Sequence, residues 1–453
     1  MSYVRRGSAG SSSSGGSPAS PASAEEPAAP KGGISTLLAA VFITGTVAGS
    51  GMLALANSVR LTGWIGLVLL LYFGVNSAYC GFVLSQCWLI VESRFPELSG
   101  QVRAPYPEIA FRAFGKKTRI LASVGIFVNQ FGGSIVYVLL SAELLEGLVG
   151  KDRLTYCVWI LVVAGVLLPL SFLGSPKDFW FIGVTALVST MLAWLCIIIH
   201  LSTHYGETVD DATHTSPTFE TFFLGMSSLL FSFGGASSFP TIQNDMADRK
   251  QFGRSITYGY IALICMYFPM TLLGYLALGD QLDADLINSL KPDGFFKSAA
   301  QVLFMINLSA SLLSVISPVY QELEDRIGIP LQFGWKRVLF RTGMMAINVL
   351  IGETVPSFSK VLDLIGASAL TLMTFIMPPI LYLRLTSHTD GGRWPKIEVP
   401  LWKKIILVEI IVVATLCGAA STYEAVKDII EDSLESSCLI EVGDSVASAL
   451  SWS

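Results

Sequence analysis

Two glycine-rich segments hold the residues of this 453-residue chain whose types and spacing best suit chemistry. The first runs from Thr44 to Gly51, the second from Phe231 to Pro240, and each lies inside a long apolar stretch. A helix in lipid satisfies its own backbone groups, so a glycine cluster inside one is expected where freed peptide groups line a cavity. Amides at a helix start attract anions, and free carbonyls attract cations. The segments therefore predict a main-chain site for a small dipolar solute.

Other chemical motifs are missing from the sequence. It contains no HExxH and no GxSxG pattern, and Gly115 to Thr118 lacks the upstream glycine and the strand of a phosphate loop. The seven cysteines show no metal or redox spacing, and we interpret them as small apolar residues rather than a disulfide framework. We therefore expect no enzyme activity, no cofactor and no metal site.

The composition places the chain in a membrane. Hydrophobic residues make up 52% of it and charged residues 14%, against about 25% charged in an ordinary soluble domain. A soluble enzyme is therefore excluded. The net charge of -5 and the lack of a basic stripe exclude nucleic acid as a partner and leave the lipid bilayer as the surroundings.

Apolar stretches predict an all-α integral membrane protein with about 11 transmembrane helices. We expect a disordered cytosolic tail, 1–32, a transmembrane domain, 33–425, and an extracellular or lumenal C-terminal tail, 426–453. The predicted spans are 34–58, 64–90, 120–145, 155–173, 179–201, 219–240, 255–279, 298–318, 337–355, 359–384 and 403–425.

Most of the 29 lysines and arginines fall in the segments that lie inside if the N-terminus is cytosolic. The positive-inside rule then predicts a cytosolic N-terminus and a C-terminus outside or in a lumen. The sequence does not distinguish the plasma membrane from an endolysosomal or vesicular membrane as the place of residence.

The glycine clusters interrupt predicted helices 1 and 6. Many secondary transporters consist of two inverted five-helix halves, and the first helix of each half is broken near the bilayer midplane. The positions predict a five-plus-five inverted repeat with broken helices 1 and 6. Close packing through small residues, as between Gly45 and Gly49, is the alternative interpretation.

These residues carry a family resemblance. The run from Gly49 to Ala56 with Gly63-Trp64, and the run from Phe231 to Met246, resemble two signatures of the amino acid/auxin permease family. Glu322, Pro330 and Trp335-Lys336-Arg337 extend the likeness across residues 34 to 425. Ala56 departs from it, because a proline often stands there. The resemblance implies an eleven-helix inverted-repeat fold and the transport of small or neutral amino acids, usually driven by protons or sodium.

An amino acid needs partners for both of its charged ends. We expect its carboxylate at the amides of Gly49, Ser50 and Gly51. Its ammonium should meet unpaired carbonyls near Thr44, Gly45, Phe231 and Ser232. Glycine permits close backbone approach at helix 6, and an aromatic ring there could cover the substrate side chain, although ordinary packing also explains Phe231 and Phe233. Tyr137 is a candidate lining residue that interhelical hydrogen bonding explains equally well. The predicted substrate-binding residues are Thr44, Gly45, Gly49, Ser50, Gly51, Phe231, Ser232, Gly234, Gly235 and Tyr137.

The coupling ion stays open between proton and sodium. Intramembrane acids are the usual proton carriers, and Glu409 is one candidate. Glu143 and Asp363 lie near outer span ends, where we interpret them as solvated anchors. Sodium would need oxygen ligands, for which Ser311 and Ser314 in helix 8 are candidates. The alternative function is an amino-acid-sensing membrane protein that signals to a cytosolic partner.

Overall fold

The computed structural model describes residues 33–98, 100, 102, 104–150, 154–172, 179–330, 334–389, 394–432 and 438. The predicted N-terminal tail, 1–32, lies outside these residues, and so does most of the predicted C-terminal tail. The last long helix continues to Asp432, so the segment that we expected to be a tail from residue 426 begins as helix.

Within these ranges the chain is all helical and forms no β-strand. The α-helices are α1 (Thr36–Val47), α2 (Gly51–Thr62), α3 (Ile65–Arg94), α4 (Pro105–Phe114), α5 (Lys116–Val149), α6 (Tyr156–Ser171), α7 (Phe179–Thr203), α8 (Tyr205–Thr208), α9 (Phe219–Ser232), α10 (Phe239–Asn244), α11 (Phe252–Leu278), α12 (Leu286–Ser289), α13 (Phe295–Ile327), α14 (Trp335–Thr354), α15 (Phe358–Ile365), α16 (Met377–Ser387) and α17 (Leu401–Asp432).

Eight helical segments among the described residues are long and apolar enough to cross a membrane, and α1 with α2 adds a ninth. Helices α6 and α14 occupy the positions of predicted spans 4 and 9. The first is a shorter apolar helix, and the second carries charged residues at both ends. The count of eleven therefore stays a prediction.

Both predicted breaks are present. Helix α1 ends at Val47, and the chain bends by 56° before α2 begins at Gly51. In predicted helix 6, α9 ends at Ser232 and α10 begins at Phe239. Between them Gly235 has φ +154°, a conformation that a residue with a side chain rarely adopts. Broken helices 1 and 6 are thus confirmed.

The half-helices pair on the two faces of the bundle. We call the face at which α1 begins the N face and the face at which α17 ends the C face. On the N face, Ile34 donates its amide to the Asp245 carbonyl at 3.0 Å and accepts from the Ala247 amide at 3.1 Å. On the C face, α2 lies against α9, where a Cβ on Gly225 would be 2.7 Å from the Ser58 carbonyl oxygen. Each half of broken helix 1 is therefore held to the matching half of broken helix 6.

A disulfide contradicts the interpretation of the cysteines. Cys157, at the start of α6, is bonded to Cys438, and the two Cα atoms are 5.8 Å apart. The sequence offered no spacing signal because 281 residues separate the pair. The bond attaches Cys438 to the start of α6 on the C face.

A buried ion cluster joins α6, α13 and α14. The Glu324 carboxylate lies 2.6 Å from Nε of Arg341 and 3.5 Å from Nε of Arg337. Arg341 also donates to the carbonyl of Ser171, at the end of α6. Because Glu324 is fully buried, removal of Arg341 would leave its carboxylate without sufficient compensation.

Candidate functional site

A cavity of about 2690 Å³ extends from the N face to the two helix breaks. Its walls include α1, α5, α10 and α13. Of the residues predicted to bind the substrate or the coupling ion, eight line it: Gly49, Ser50, Gly51, Tyr137, Phe231, Gly234, Gly235 and Ser314.

Ser50 and Gly51 form the deep end of this cavity. Ser50 is fully buried, and its hydroxyl has no hydrogen-bond partner. In the part of the chain that the structure describes, the amides of Ser50 and Gly51 donate to no acceptor. Both amides stand at the start of α2, the end of a helix that carries partial positive charge. The arrangement can accept an anionic group.

Three glycines lie where the walls come together, and Gly51 is the one at which a side chain would meet backbone. A Cβ on Gly51 would be 2.6 Å from Cα of Ser232, which is a clash with backbone. A Cβ on Gly234 would be 2.1 Å from the Leu370 side chain, and one on Gly49 would be 3.4 Å from the Tyr137 hydroxyl. The glycines therefore let both breaks approach each other at the end of the cavity.

Thr44 and Gly45 lie behind the cavity wall. The Thr44 hydroxyl donates to the Ala40 carbonyl and lies 3.4 Å from the Gly259 carbonyl oxygen of α11. A Cβ on Gly45 would face the Gly183 carbonyl of α7 at 3.4 Å. Both residues pack α1 against its neighbours.

Ser232 is also turned from the cavity, and its hydroxyl donates to the Gly51 carbonyl at 2.8 Å. The Ser232 carbonyl accepts from the Tyr267 hydroxyl at 3.2 Å. The Phe231 carbonyl accepts from the Gly234 amide at 2.9 Å. Some of the carbonyl groups freed at the breaks are thus hydrogen-bonded to other groups of the protein.

Charged side chains among the described lining residues lie toward the N face. Asp245 and Arg249 follow α10, and Glu322 and Arg326 belong to the last turns of α13. Burial raises the pKa of the Asp245 carboxyl, and Arg249 opposes this rise. The deep wall, by contrast, consists of backbone, hydroxyl, aromatic and aliphatic groups. The cavity can therefore hold an uncharged side chain at its deep end.

The predicted coupling residues do not come together. Ser314 lines the cavity, but its hydroxyl donates to the Ala310 carbonyl within α13. Ser311 is buried outside the lining. Glu409 lies on the exposed surface of α17, where it accepts from the Tyr72 hydroxyl.

Asp363 is a buried acid, and its interpretation as a solvated anchor is wrong. The residue is 7% exposed, and its carboxylate oxygen lies 2.5 Å from the Ser228 hydroxyl of α9. It joins α15 to the C-face half of helix 6, close to where a Cβ on Gly366 would be 2.6 Å from Cβ of Phe231. Val361, Leu362 and Ile365 around it are buried too, and these apolar residues were the sequence signal for burial.

The C face is closed by the loop between α11 and α13. Leu282, Leu286, Ile287 and Leu290 of this loop are buried, and Leu286 lies against Gly274 of α11. This loop therefore covers the helix breaks on the C face, and the cavity reaches the N face.

Comparisons with known sequences indicate the family to which the chain belongs. The sequence model described as "Transmembrane amino acid transporter protein" matches residues 32–426. Amino acid transporter AVT1B of Arabidopsis thaliana is 25% identical over 397 residues, which cover 84% of this chain and 69% of that protein. Amino acid transporter ANT1 of the same plant is 23% identical over 401 residues, which cover 84% of this chain and 90% of that protein.

Solved structures show the fold. The structure of MhsT in complex with L-phenylalanine has a TM-score of 0.58 at 12% identity and covers 86% of this chain and 98% of that chain. The inward-facing conformation of Mhp1 has a TM-score of 0.53 at 10% identity, and the match covers 86% of this chain and 88% of that chain. The predicted all-α inverted-repeat fold is confirmed by this likeness. The extent of the family match leads to one conclusion: the chain belongs to the transmembrane amino acid transporter family, whose members move amino acids across membranes.

Proposed function

We propose that the protein is a secondary active transporter that moves small or neutral amino acids by alternating access. The observation that carries this proposal is the pair of unsatisfied amides at Ser50 and Gly51, beside the unpartnered Ser50 hydroxyl, at the closed end of a cavity. An α-carboxylate is the group that such donors at a helix start bind best. The cavity then represents the state open to the cytosol.

The ammonium end of the substrate would meet the break in helix 6. The Gly234 carbonyl accepts no hydrogen bond from the residues that the structure describes, whereas the Phe231 carbonyl already accepts from the amides of Phe233 and Gly234. The Gly234 carbonyl is therefore the candidate ligand for the ammonium. Both residues line the cavity. A backbone site of this kind binds a cation without a buried protein charge.

The wall at the deep end of the cavity indicates which substrate side chains are favoured. Tyr137, Phe231 and Leu370 line this part of the cavity, and the charged lining residues lie nearer the N face. A charged substrate side chain would lose its hydration there without an ionic partner. Neutral side chains are therefore favoured.

The orientation proposed from the lysines and arginines gains a second argument. Disulfides persist in oxidising compartments and are rare in the cytosol. The bond between Cys157 and Cys438 lies on the C face. This supports a cytosolic N face and a C face outside the cell or in a lumen, at the plasma membrane or an endolysosomal or vesicular membrane.

The test uses a panel of radiolabelled amino acids and purified protein in proteoliposomes. We expect uptake of at least one neutral amino acid by the wild type. In Gly51→Val the side chain would meet the backbone of Ser232, and in Gly234→Val it would meet Leu370, so uptake falls at least about tenfold in both variants. Gly165→Val is the matched control because a Cβ there meets nothing within 4 Å.

Normal uptake by both site variants would refute the proposed site. The alternative function, an amino-acid-sensing membrane protein, would be favoured by a different result. The wild type would then transport no member of the panel, but amino acid binding would alter its capture of a cytosolic partner.

A further inference from the structure

The two broken helices direct carbonyl groups at one buried hydroxyl. Val47 is the last residue of α1, and Ser232 is the last residue of α9. The hydroxyl oxygen of Tyr267, on α11, lies 2.9 Å from the Val47 carbonyl oxygen and 3.2 Å from the Ser232 carbonyl oxygen. Tyr267 is fully buried. One side chain therefore joins the ends of both half-helices.

These two helix ends are where a positive charge would be most favourable. The carboxyl end of a helix carries partial negative charge, and the last carbonyls have no partner within the helix. In transporters with discontinuous helices, such ends and the unwound carbonyls beside them coordinate the coupling ion. Here the uncharged Tyr267 hydroxyl lies between the two helix ends.

Neighbouring carbonyls at the junction also accept from hydroxyl groups. The Phe233 carbonyl accepts from the Ser77 hydroxyl at 2.8 Å, and Ser77 in turn lies 2.7 Å from the Tyr260 hydroxyl. The Gly51 carbonyl accepts from the Ser232 hydroxyl at 2.8 Å. A sodium ion would have to displace these donors, because hard cations need several oxygen ligands at once.

We propose that the Tyr267 hydroxyl takes the place of a coupling sodium ion at the junction of the two broken helices, so that transport proceeds without sodium. This inference rests on the proposed transport function. Tyr267 is a positioning residue: it touches no substrate group and sets the distance between the two half-helix ends. Its single proton is shared between two carbonyls, so it holds both ends without adding net charge to the membrane interior.

The first experiment measures amino acid uptake into proteoliposomes with external sodium, potassium or choline at fixed pH and membrane potential. We expect equal initial rates in the three salts. A wild-type rate that falls about tenfold or more in choline and returns with sodium would overturn the inference.

The second experiment replaces Tyr267 with phenylalanine, which keeps the ring and removes the hydroxyl. We expect the maximal rate to fall at least about tenfold, because two buried carbonyls lose their shared donor. The half-saturating substrate concentration should change little, since the amides of Ser50 and Gly51 are untouched. Tyr275→Phe is the matched control: this buried tyrosine lies about two turns further along α11, and its hydroxyl bonds to neither break.

A Tyr267→Phe protein with the wild-type maximal rate would overturn the inference. So would equal losses in Tyr267→Phe and Tyr275→Phe. Failure of the wild type to transport any amino acid in any of the three salts would instead contradict the proposed function. Sodium-dependent transport by the wild type would leave that function in place and remove this inference alone.

Discussion

Replacing Asp285 with asparagine should remove a pH dependence from the loop that closes the C face. Asp285 is fully buried in this loop, one oxygen of its carboxyl accepts from the Ile287 amide at 2.9 Å, and the other has no partner. Burial raises the pKa of Asp285 to about 7, from an ordinary value of 3.8. The Lys297 ammonium opposes this rise, but it lies 2.7 Å from the Asp293 carboxylate.

The sign follows from proton binding. Below the ordinary pKa, the closed and open forms of the loop both keep the proton. As the pH rises, the open form loses it first, so closure is progressively destabilised until the pH passes the raised pKa near 7. Between about pH 5 and about pH 8, the opening equilibrium should grow roughly a hundredfold, or about 3 kcal/mol.

Other charged groups surround the loop without pairing with Asp285. Asp283 of the loop raises the pKa of Asp285 slightly by repulsion. The helices packed against α12 are α2, which carries Arg60, α5, which carries Glu143 and Glu146 near its C-face end, and α13 with Lys297. None of these forms an ion pair with Asp285 within the described chain.

Hydrogen exchange of residues 282–290 in lipid nanodiscs measures this opening, after correction for the intrinsic pH dependence of amide exchange. We expect stronger protection at the lower pH in the wild type and nearly equal protection at both in Asp285→Asn. Asp283→Asn, in the exposed part of the same loop, should keep most of the effect. Equal protection of the wild type at both pH values, or an undiminished pH effect in Asp285→Asn, would refute the reasoning.

Three further outcomes are expected. Cys157→Ser should lower the free energy of unfolding by about 2–4 kcal/mol, because it removes the disulfide. Thermal melting measures this loss, and wild type with the disulfide reduced is the control; identical melting of Cys157→Ser and the oxidised wild type would contradict the prediction. Arg341→Met should cost about 3–5 kcal/mol because it leaves buried Glu324 undercompensated, and adding Glu324→Gln should recover part of the loss; a double variant less stable than Arg341→Met would oppose this. Asp363→Leu removes the oxygen that accepts from the Ser228 hydroxyl and leaves that hydroxyl buried without its acceptor, so it should cost about 1–3 kcal/mol of stability, whereas Asp363→Asn keeps an acceptor and should cost less; equal losses in the two variants would count against this reasoning.

The membrane setting and the two breaks follow from the sequence alone. Low charge and long apolar stretches require a lipid solvent whatever the tertiary arrangement is. The glycine clusters at Thr44 to Gly51 and Phe231 to Pro240 disfavour a continuous helix through local backbone freedom, so their positions predicted the breaks. Ser50 and Gly51, which follow the first break directly, could be chosen for the same local reason.

Tertiary structure decided which side chains meet those breaks. Tyr267 lies 220 residues from Val47, and nothing in α11 marks its hydroxyl as a partner of either half-helix. Asp363 and Glu409 are both acids within apolar spans, yet one is buried against α9 and the other lies on the exposed surface of α17. The physical reason is that lipid and protein interior are both apolar. Hydrophobic periodicity in a spanning helix therefore does not tell which face packs inward, and only the packed bundle does.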